Sequence, residues 1–162
     1  MVMLIIAALT TIATPSFSGL LARERVQSMN RELAATLHFA REYAIRTGAR
    51  SLVCPTRDDR HCTPDMRWDH GWLVATDFNH DGQPDGLPVR LGKADPDLHI
   101  LSSRGRRKII FHSNGSAIGS NLTLLFCQAG QAAETHVLVM SNTGYLHTRR
   151  ASTAQQKRCA QG

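Results

Sequence analysis

The stretch that decides the fold runs from Met1 to Gly48 and reads MVMLIIAALTTIATPSFSGLLARERVQSMNRELAATLHFAREYAIRTG. In its second half, apolar residues recur at intervals of three and four positions, which is one face of an α-helix. The charged residues fall off that face. A single long helix is therefore predicted, with Gly48 as its C-cap. Its apolar face consists of Val26, Met29, Leu33, Leu37, Ala40 and Ala44.

The helix opens with MVMLIIAALTTIAT, fourteen residues without a charge. This opening is shorter than the roughly 20 residues that a transmembrane helix needs, and it lacks the positively charged start of a signal peptide. Two explanations are open. Either the opening packs against other protein, or the chain as given lacks a few apolar residues upstream. Residues 1–48 are predicted to form a helical spine whose start inserts into a membrane.

Positive charge is concentrated in the last part of the chain. Residues 1–97 hold eleven Lys and Arg against twelve Asp and Glu, whereas residues 98–162 hold eight basic residues and one acid, Glu134. This asymmetry favours a polyanionic partner, either nucleic acid or an acidic membrane surface. A basic surface that merely keeps the protein soluble explains it equally well. The candidate phosphate contacts are Arg104, Arg106, Arg107, Lys108, Arg149, Arg150, Lys157 and Arg158.

Four cysteines, Cys54, Cys62, Cys127 and Cys159, allow two disulfides in three possible pairings. Pairing Cys54 with Cys62 would close the polar loop between them, and pairing Cys127 with Cys159 would tie the C-terminal residues to the sheet. Disulfides indicate an oxidising compartment such as a periplasm. The alternative, a zinc site, is weakly supported because there is no Cys-x-x-Cys and only His61 adjoins a cysteine.

After Gly48 the chain reads as short strands separated by polar turns. One helix followed by successive strands predicts an α+β fold, with the long N-terminal helix packed on antiparallel sheet. Trp72 is predicted to lie in the core. Three segments are predicted: the spine 1–48, a β-rich head 49–148 and a basic tail 149–162. The predicted strands are 51–54, 71–76, 87–91, 99–101, 108–111, 121–127, 136–140 and 145–147, with 87–91 at an edge because of Pro88.

Several segments, taken in this order, resemble the GspH/FimT family of type IV pilin-like proteins. They are Pro15–Phe17, Leu37–Gly48, Trp68–Asp85, Phe111–Gly115 and Val137–Gly144. The resemblance implies an inner-membrane, single-pass prepilin with its head in the periplasm, processed by a prepilin peptidase and N-methylated. Such a protein assembles with other pilin or pseudopilin subunits as a minor component of a type IV pilus or a type II secretion pseudopilus.

The sequence departs from the family pattern in two places. The processing motif, a Gly-Phe-Thr-Leu-Ile-Glu type of run, is absent and would lie just upstream of Met1, so Met1 is expected to be an internal methionine or a late start. Some members bind double-stranded DNA during natural transformation through a Gly-Arg-x-Arg run. Here the matching place reads Gly144-Tyr145-Leu146-His147, and Arg149-Arg150 follow it. Both DNA binding and its absence, as in a secretion pseudopilin, are therefore expected possibilities.

No catalytic motif or cofactor motif is present, so the chain is predicted not to be an enzyme and to need no cofactor. One polar run has the alternating oxygen side chains of a calcium loop, with Gly82 at its bend. Pro88 occupies the position where such a loop needs a glutamate. The favoured interpretation is a turn whose side chains cap their own backbone. The residues concerned are Asp77, Asn79, Asp81 and Asp85.

Overall fold

The first element is one long helix, α1, which covers Val2–Thr47. The structure, a computed structural model, describes residues 2–93, 95–128 and 131–161, with side chains from residue 19 onward except at 131–133 and 160. Gly48 follows the helix at φ +67°, a conformation that glycine adopts at little cost. The predicted C-cap is therefore confirmed. All six residues of the predicted apolar face are buried: Val26, Met29, Leu33, Leu37, Ala40 and Ala44.

Eight strands follow α1 and form two antiparallel sheets. In chain order they are β1 (Ser51–Pro55), β2 (Trp72–Thr76), β3 (Arg90–Gly92), β4 (Leu98–Ser102), β5 (Ile109–Phe111), β6 (Leu122–Gln128), β7 (Gln131–Met140) and β8 (Leu146–Arg150). The first sheet has the order β3-β2-β1-β5 and the second the order β4-β6-β7-β8. The predicted α+β architecture is confirmed, and β3 lies at an edge as Pro88 indicated.

Both sheets turn one face to the buried side of α1, and the three elements share a single core. Trp72 is fully buried in that core, and its indole Nε1 donates to Thr36 Oγ1 over 3.3 Å. Gly92 makes room for the ring, because a Cβ at that position would lie 2.2 Å from the indole. The predicted core position of Trp72 is confirmed.

The C-terminal residues differ from the predicted tail. Strand β8 continues through Arg149 and Arg150, and a second helix, α2, covers Thr153–Ala160. The helix begins with a capping box, in which Ser152 accepts from the backbone of Gln155 and the Gln155 side chain accepts from the backbone of Ser152. It packs on β6 and β7, on the side of the second sheet opposite α1. The polar composition concealed this helix, because only one of its described side chains, Cys159, is buried.

Within the described part of the chain, no helix is long and apolar enough to cross a membrane. The predicted membrane-inserting start of the spine falls on residues 1–18, whose side chains lie outside the described residues.

Candidate functional site

Two disulfides, Cys54–Cys62 and Cys127–Cys159, join the cysteines as predicted. The first closes the loop after β1. The second joins β6 to α2 with a Cα–Cα distance of 6.2 Å. Cys159 is fully buried on the side of α2 that faces the second sheet. With both sulfurs of the first bond consumed, the zinc alternative is excluded there, and His61 instead pairs with Asp58 over 2.7 Å. The hydrogen bond from His61 is the main cause that lowers the pKa of Asp58.

The calcium-like run directs its oxygen atoms at its own backbone. Asp77 Oδ1 accepts from the Gly82 amide, Asn79 Oδ1 from the Asp81 amide, and Asp85 Oδ2 from the amides of Phe78 and Asn79. These contacts are those of the favoured interpretation, a self-capped turn. Among the described residues, no group of three or more His, Cys, Asp or Glu side chains could hold a metal ion.

The predicted basic residues do not form one cluster. Arg104 and Arg158 come together at the end of β4, where both line a surface cavity of about 410 Å³ that also includes Asp65. Arg158 donates to the carbonyl oxygen of Ser102 over 2.5 Å, which places the second turn of α2 against β4. The disulfide of Cys159 therefore holds a basic side chain next to the strand, as the sequence suggested.

Two other basic residues of the set, Arg106 and Lys108, donate hydrogen bonds to turns of the head. Arg106 donates to the Gly119 carbonyl over 2.6 Å and to Asn121 Oδ1 over 3.1 Å. Lys108 donates to the Gly82 carbonyl over 2.9 Å, beside the Cys54–Cys62 loop. By contrast, no hydrogen bond or ion pair within the described residues engages the side chains of Arg104, Arg107, Arg150 and Lys157.

Arg149 and Arg150 are neighbours in sequence but lie on opposite faces of the second sheet. Arg149 donates to Gln155 Oε1 of α2 over 3.0 Å. Thr148, one residue earlier, bonds to Asn30 of α1 over 3.1 Å, so by the alternation of a strand Arg150 faces the α1 side. The start of α2 contacts Arg149 on β8, and the end of α2 contacts Ser102 on β4. Because β8 and β4 are the two edge strands of the second sheet, α2 crosses that sheet from one edge to the other.

A second polar cavity, of about 310 Å³, lies between α1, β7, β8 and the start of α2. Arg150 and His136 are directly paired across β7 and β8, and Arg23 of α1 lies 3.9 Å from Glu134. Burial lowers the pKa of His136; the charge of Glu134 opposes that effect, whereas Arg23 and Arg150 add to it. Sequence reasoning missed this cavity because Arg23 and His136 are 113 positions apart and only the packing of α1 on β7 brings them together.

A sequence model of the family described as type II transport protein GspH matches residues 30–144. The chain belongs to the GspH family. That membership confirms the resemblance noted from the sequence and makes the chain a pilin-like protein of the class that contains minor pilins and pseudopilins. The matched range runs from the middle of α1 to the turn before β8, so it includes the whole first sheet of this GspH protein and every strand of the second sheet except β8.

Solved structures share the fold. The type IV minor pilin FimU of Pseudomonas aeruginosa superimposes with a TM-score of 0.64 at 22% identity, covering 79% of this chain and 90% of that one. The minor pseudopilin EpsH from the type 2 secretion system of Vibrio cholerae gives 0.54 at 14% identity, covering 77% and 96%. At these identities the likeness establishes the fold. A search of curated proteins found no match.

Proposed function

We propose that this GspH protein is a minor pilin, anchored in the inner membrane by the start of α1 and incorporated into a type IV pilus with its head in the periplasm. The observation that carries the proposal is the division of α1. From Ala22 to Ala44 one face of the helix is buried under both sheets. Immediately before that, Leu20 and Leu21 are exposed, although they are large and apolar. The apolar surface of α1 that the head does not cover is available for contact with lipid or with the α1 helices of neighbouring subunits.

The two disulfides support a periplasmic head, because such bonds persist in oxidising compartments. The role is structural, and N-methylation after processing belongs to the same proposal. The second candidate is a pseudopilin of a type II secretion system without DNA binding. The likeness to EpsH supports this candidate at the level of fold. Deleting the gene separates the two: loss of pili with intact secretion supports the pilus, and the reverse supports the secretion system.

Replacing Leu20 and Leu21 together with glutamate should abolish recovery of the protein in sheared filaments. Both side chains are exposed in the monomer, at 56% and 46%, so the head should fold normally while the contact with neighbouring helices is lost. Immunoblotting of the sheared fraction and thermal unfolding of the purified protein measure the two properties. The matched control is Leu87→Glu, which changes an exposed leucine in the loop before the edge strand β3. Absence of the wild-type protein from filaments would contradict the proposal.

We further propose that the head binds double-stranded DNA without sequence preference during natural transformation, through the α2 side of the second sheet. Arg149 and Lys157 are exposed on β8 and α2, and Arg104 and Arg158 meet at the opposite edge. This arrangement favours Arg149 with Lys157 over the sequence-based pair Arg149 with Arg150, because Arg150 faces the other way. Phosphate contacts of this kind need cationic side chains rather than a fixed base-reading geometry.

Changing Arg149 and Lys157 together to alanine should weaken DNA binding and reduce its salt dependence by about two phosphate contacts, at about 0.9 per contact in the log–log slope. Fluorescence anisotropy with a labelled duplex, over a series of salt concentrations, measures both quantities. The control variant, Arg46→Ala with Arg60→Ala, removes the same net charge from exposed positions elsewhere. An equal effect of the control would reduce the proposal to a general charge effect, and no binding by the wild type at low salt would refute it.

A further inference from the structure

The cavity between α1, β7, β8 and α2 has the composition of an anion site. The two guanidinium groups of Arg23 and Arg150 line it together with His136, against a single carboxylate, Glu134. The side chain of Arg150 makes no hydrogen bond or ion pair among the described residues, and Arg23 contacts Glu134 only at 3.9 Å. The cavity thus holds an excess of positive charge with one guanidinium free to bind a ligand.

Its place on the sheet is also distinctive. Alternate residues of β7 face α1, and those nearest the turn to β8, Leu138 and Met140, belong to the apolar core. Toward the N-terminus of β7, the same face carries His136 and then Glu134 in place of apolar residues. The change coincides with Ala22, beyond which no buried α1 residue lies toward the N-terminus within the described side chains. The cavity therefore marks the end of the contact between head and helix.

The same point marks the end of the uncharged part of α1. Arg23 is the first charged residue of the chain, and the backbone from Val2 to Ala22 is helical. The exposed Leu20 and Leu21 precede Arg23 directly. Apolar side chains followed at once by arginine are typical of a helix at a membrane surface.

We propose that this cavity binds the phosphate of an anionic phospholipid headgroup, with Arg23 and Arg150 as its cationic ligands. The inference rests on the proposed membrane anchor, which brings the cavity to the headgroup level. A phosphate diester between the two guanidinium groups satisfies the charge that Glu134 leaves unpaired. It also favours the charged form of His136, against the effects of burial and of the two arginines.

The test uses the full chain in phosphatidylcholine bicelles, with phosphatidylglycerol added in steps, and follows the His136 ring by NMR as the pH is varied. The pKa of His136 should rise as phosphatidylglycerol is added, because the phosphate brings a negative charge next to the imidazole. The other charges that line the cavity are Glu134 on β7, Arg23 on α1 and Arg150 on β8. Arg150→Gln should raise the phosphatidylglycerol content needed for half of the change about fivefold. Glu134→Gln should lower that content, and Arg60→Gln, in the distant disulfide loop, should leave it unchanged.

Parallel samples identify the source of the phosphate. Inorganic phosphate or duplex DNA is added to bicelles of phosphatidylcholine alone. A rise of the His136 pKa with inorganic phosphate or with DNA, together with no rise with phosphatidylglycerol, would overturn the lipid assignment. So would a response that Arg150→Gln leaves unchanged. Co-sedimentation of the full chain with phosphatidylcholine vesicles tests the anchor independently, so failure of the cavity and failure of the anchor are distinguished.

Discussion

Replacing Cys127 and Cys159 together with alanine is expected to lower the free energy of unfolding by about 3–4 kcal/mol. The bond spans 32 positions, and the entropy that a cross-link removes from the unfolded chain grows with the length of the loop it closes. Urea unfolding of the oxidised full chain in detergent, followed by the fluorescence of the buried Trp68 and Trp72, measures the change.

The shorter disulfide provides the comparison. Cys54–Cys62 spans 8 positions, and the same relation gives about 2–3 kcal/mol for its removal. In addition, only the longer bond holds α2, which has eight residues and is too short to be stable alone. Trypsin should therefore cut after Lys157 and Arg158 much faster in the Cys127→Ala/Cys159→Ala variant than in the Cys54→Ala/Cys62→Ala variant. Equal losses of stability and equal cleavage rates would contradict this account.

Replacing Trp72 with alanine is expected to lower the free energy of unfolding by about 3–5 kcal/mol, the range for removing a fully buried large aromatic side chain. The ring fills the space between β2, α1 and Gly92 of β3, and its loss leaves Thr36 without the indole donor. Urea unfolding followed by far-UV circular dichroism is suitable here, because the mutation removes one of the two tryptophans.

Phe78→Ala is the matched control, because Phe78 is an aromatic residue close by in sequence that is 66% exposed. Its replacement should change the free energy of unfolding by no more than about 0.5 kcal/mol. If the two variants proved equally stable, the central position of Trp72 between helix and sheets would be wrong.

The sequence predicted elements well where local periodicity and tertiary burial agree. The six apolar positions of α1 face the core because both sheets bury the same helical stripe that the spacing of three and four indicated. Helix α2 gave no such stripe. It is held by its disulfide and by its cap, and the Ser152–Gln155 spacing of a capping box was its one readable signal.

The candidate sites were less predictable, because they depend on strand register. Arg149 and Arg150 could be assigned to opposite faces only once β8 was known to extend through both residues. Arg106 and Lys108 were candidate phosphate contacts in the sequence, yet each donates to a backbone carbonyl of a distant turn. The cysteine pairing, by contrast, was favoured in the sequence by the polar loop between Cys54 and Cys62 and by the positions of Cys127 after a strand and Cys159 near the C-terminus, and the structure has both bonds.

The hydrogen bond between Thr148 and Asn30 joins residues 118 positions apart, and it has a consequence for synthesis. The face of α1 that carries Leu33 and Leu37 is made early, but the part of its cover that lies on β7 and β8 is translated near the end of the chain. Until those strands are synthesised, only the earlier strands, among them β1, β3, β5 and β6, can cover the apolar stripe of α1, so its burial stays incomplete. Contacts of such long sequence separation also form slowly. The helix therefore acquires its full cover only when the C-terminal strands of the second sheet are complete.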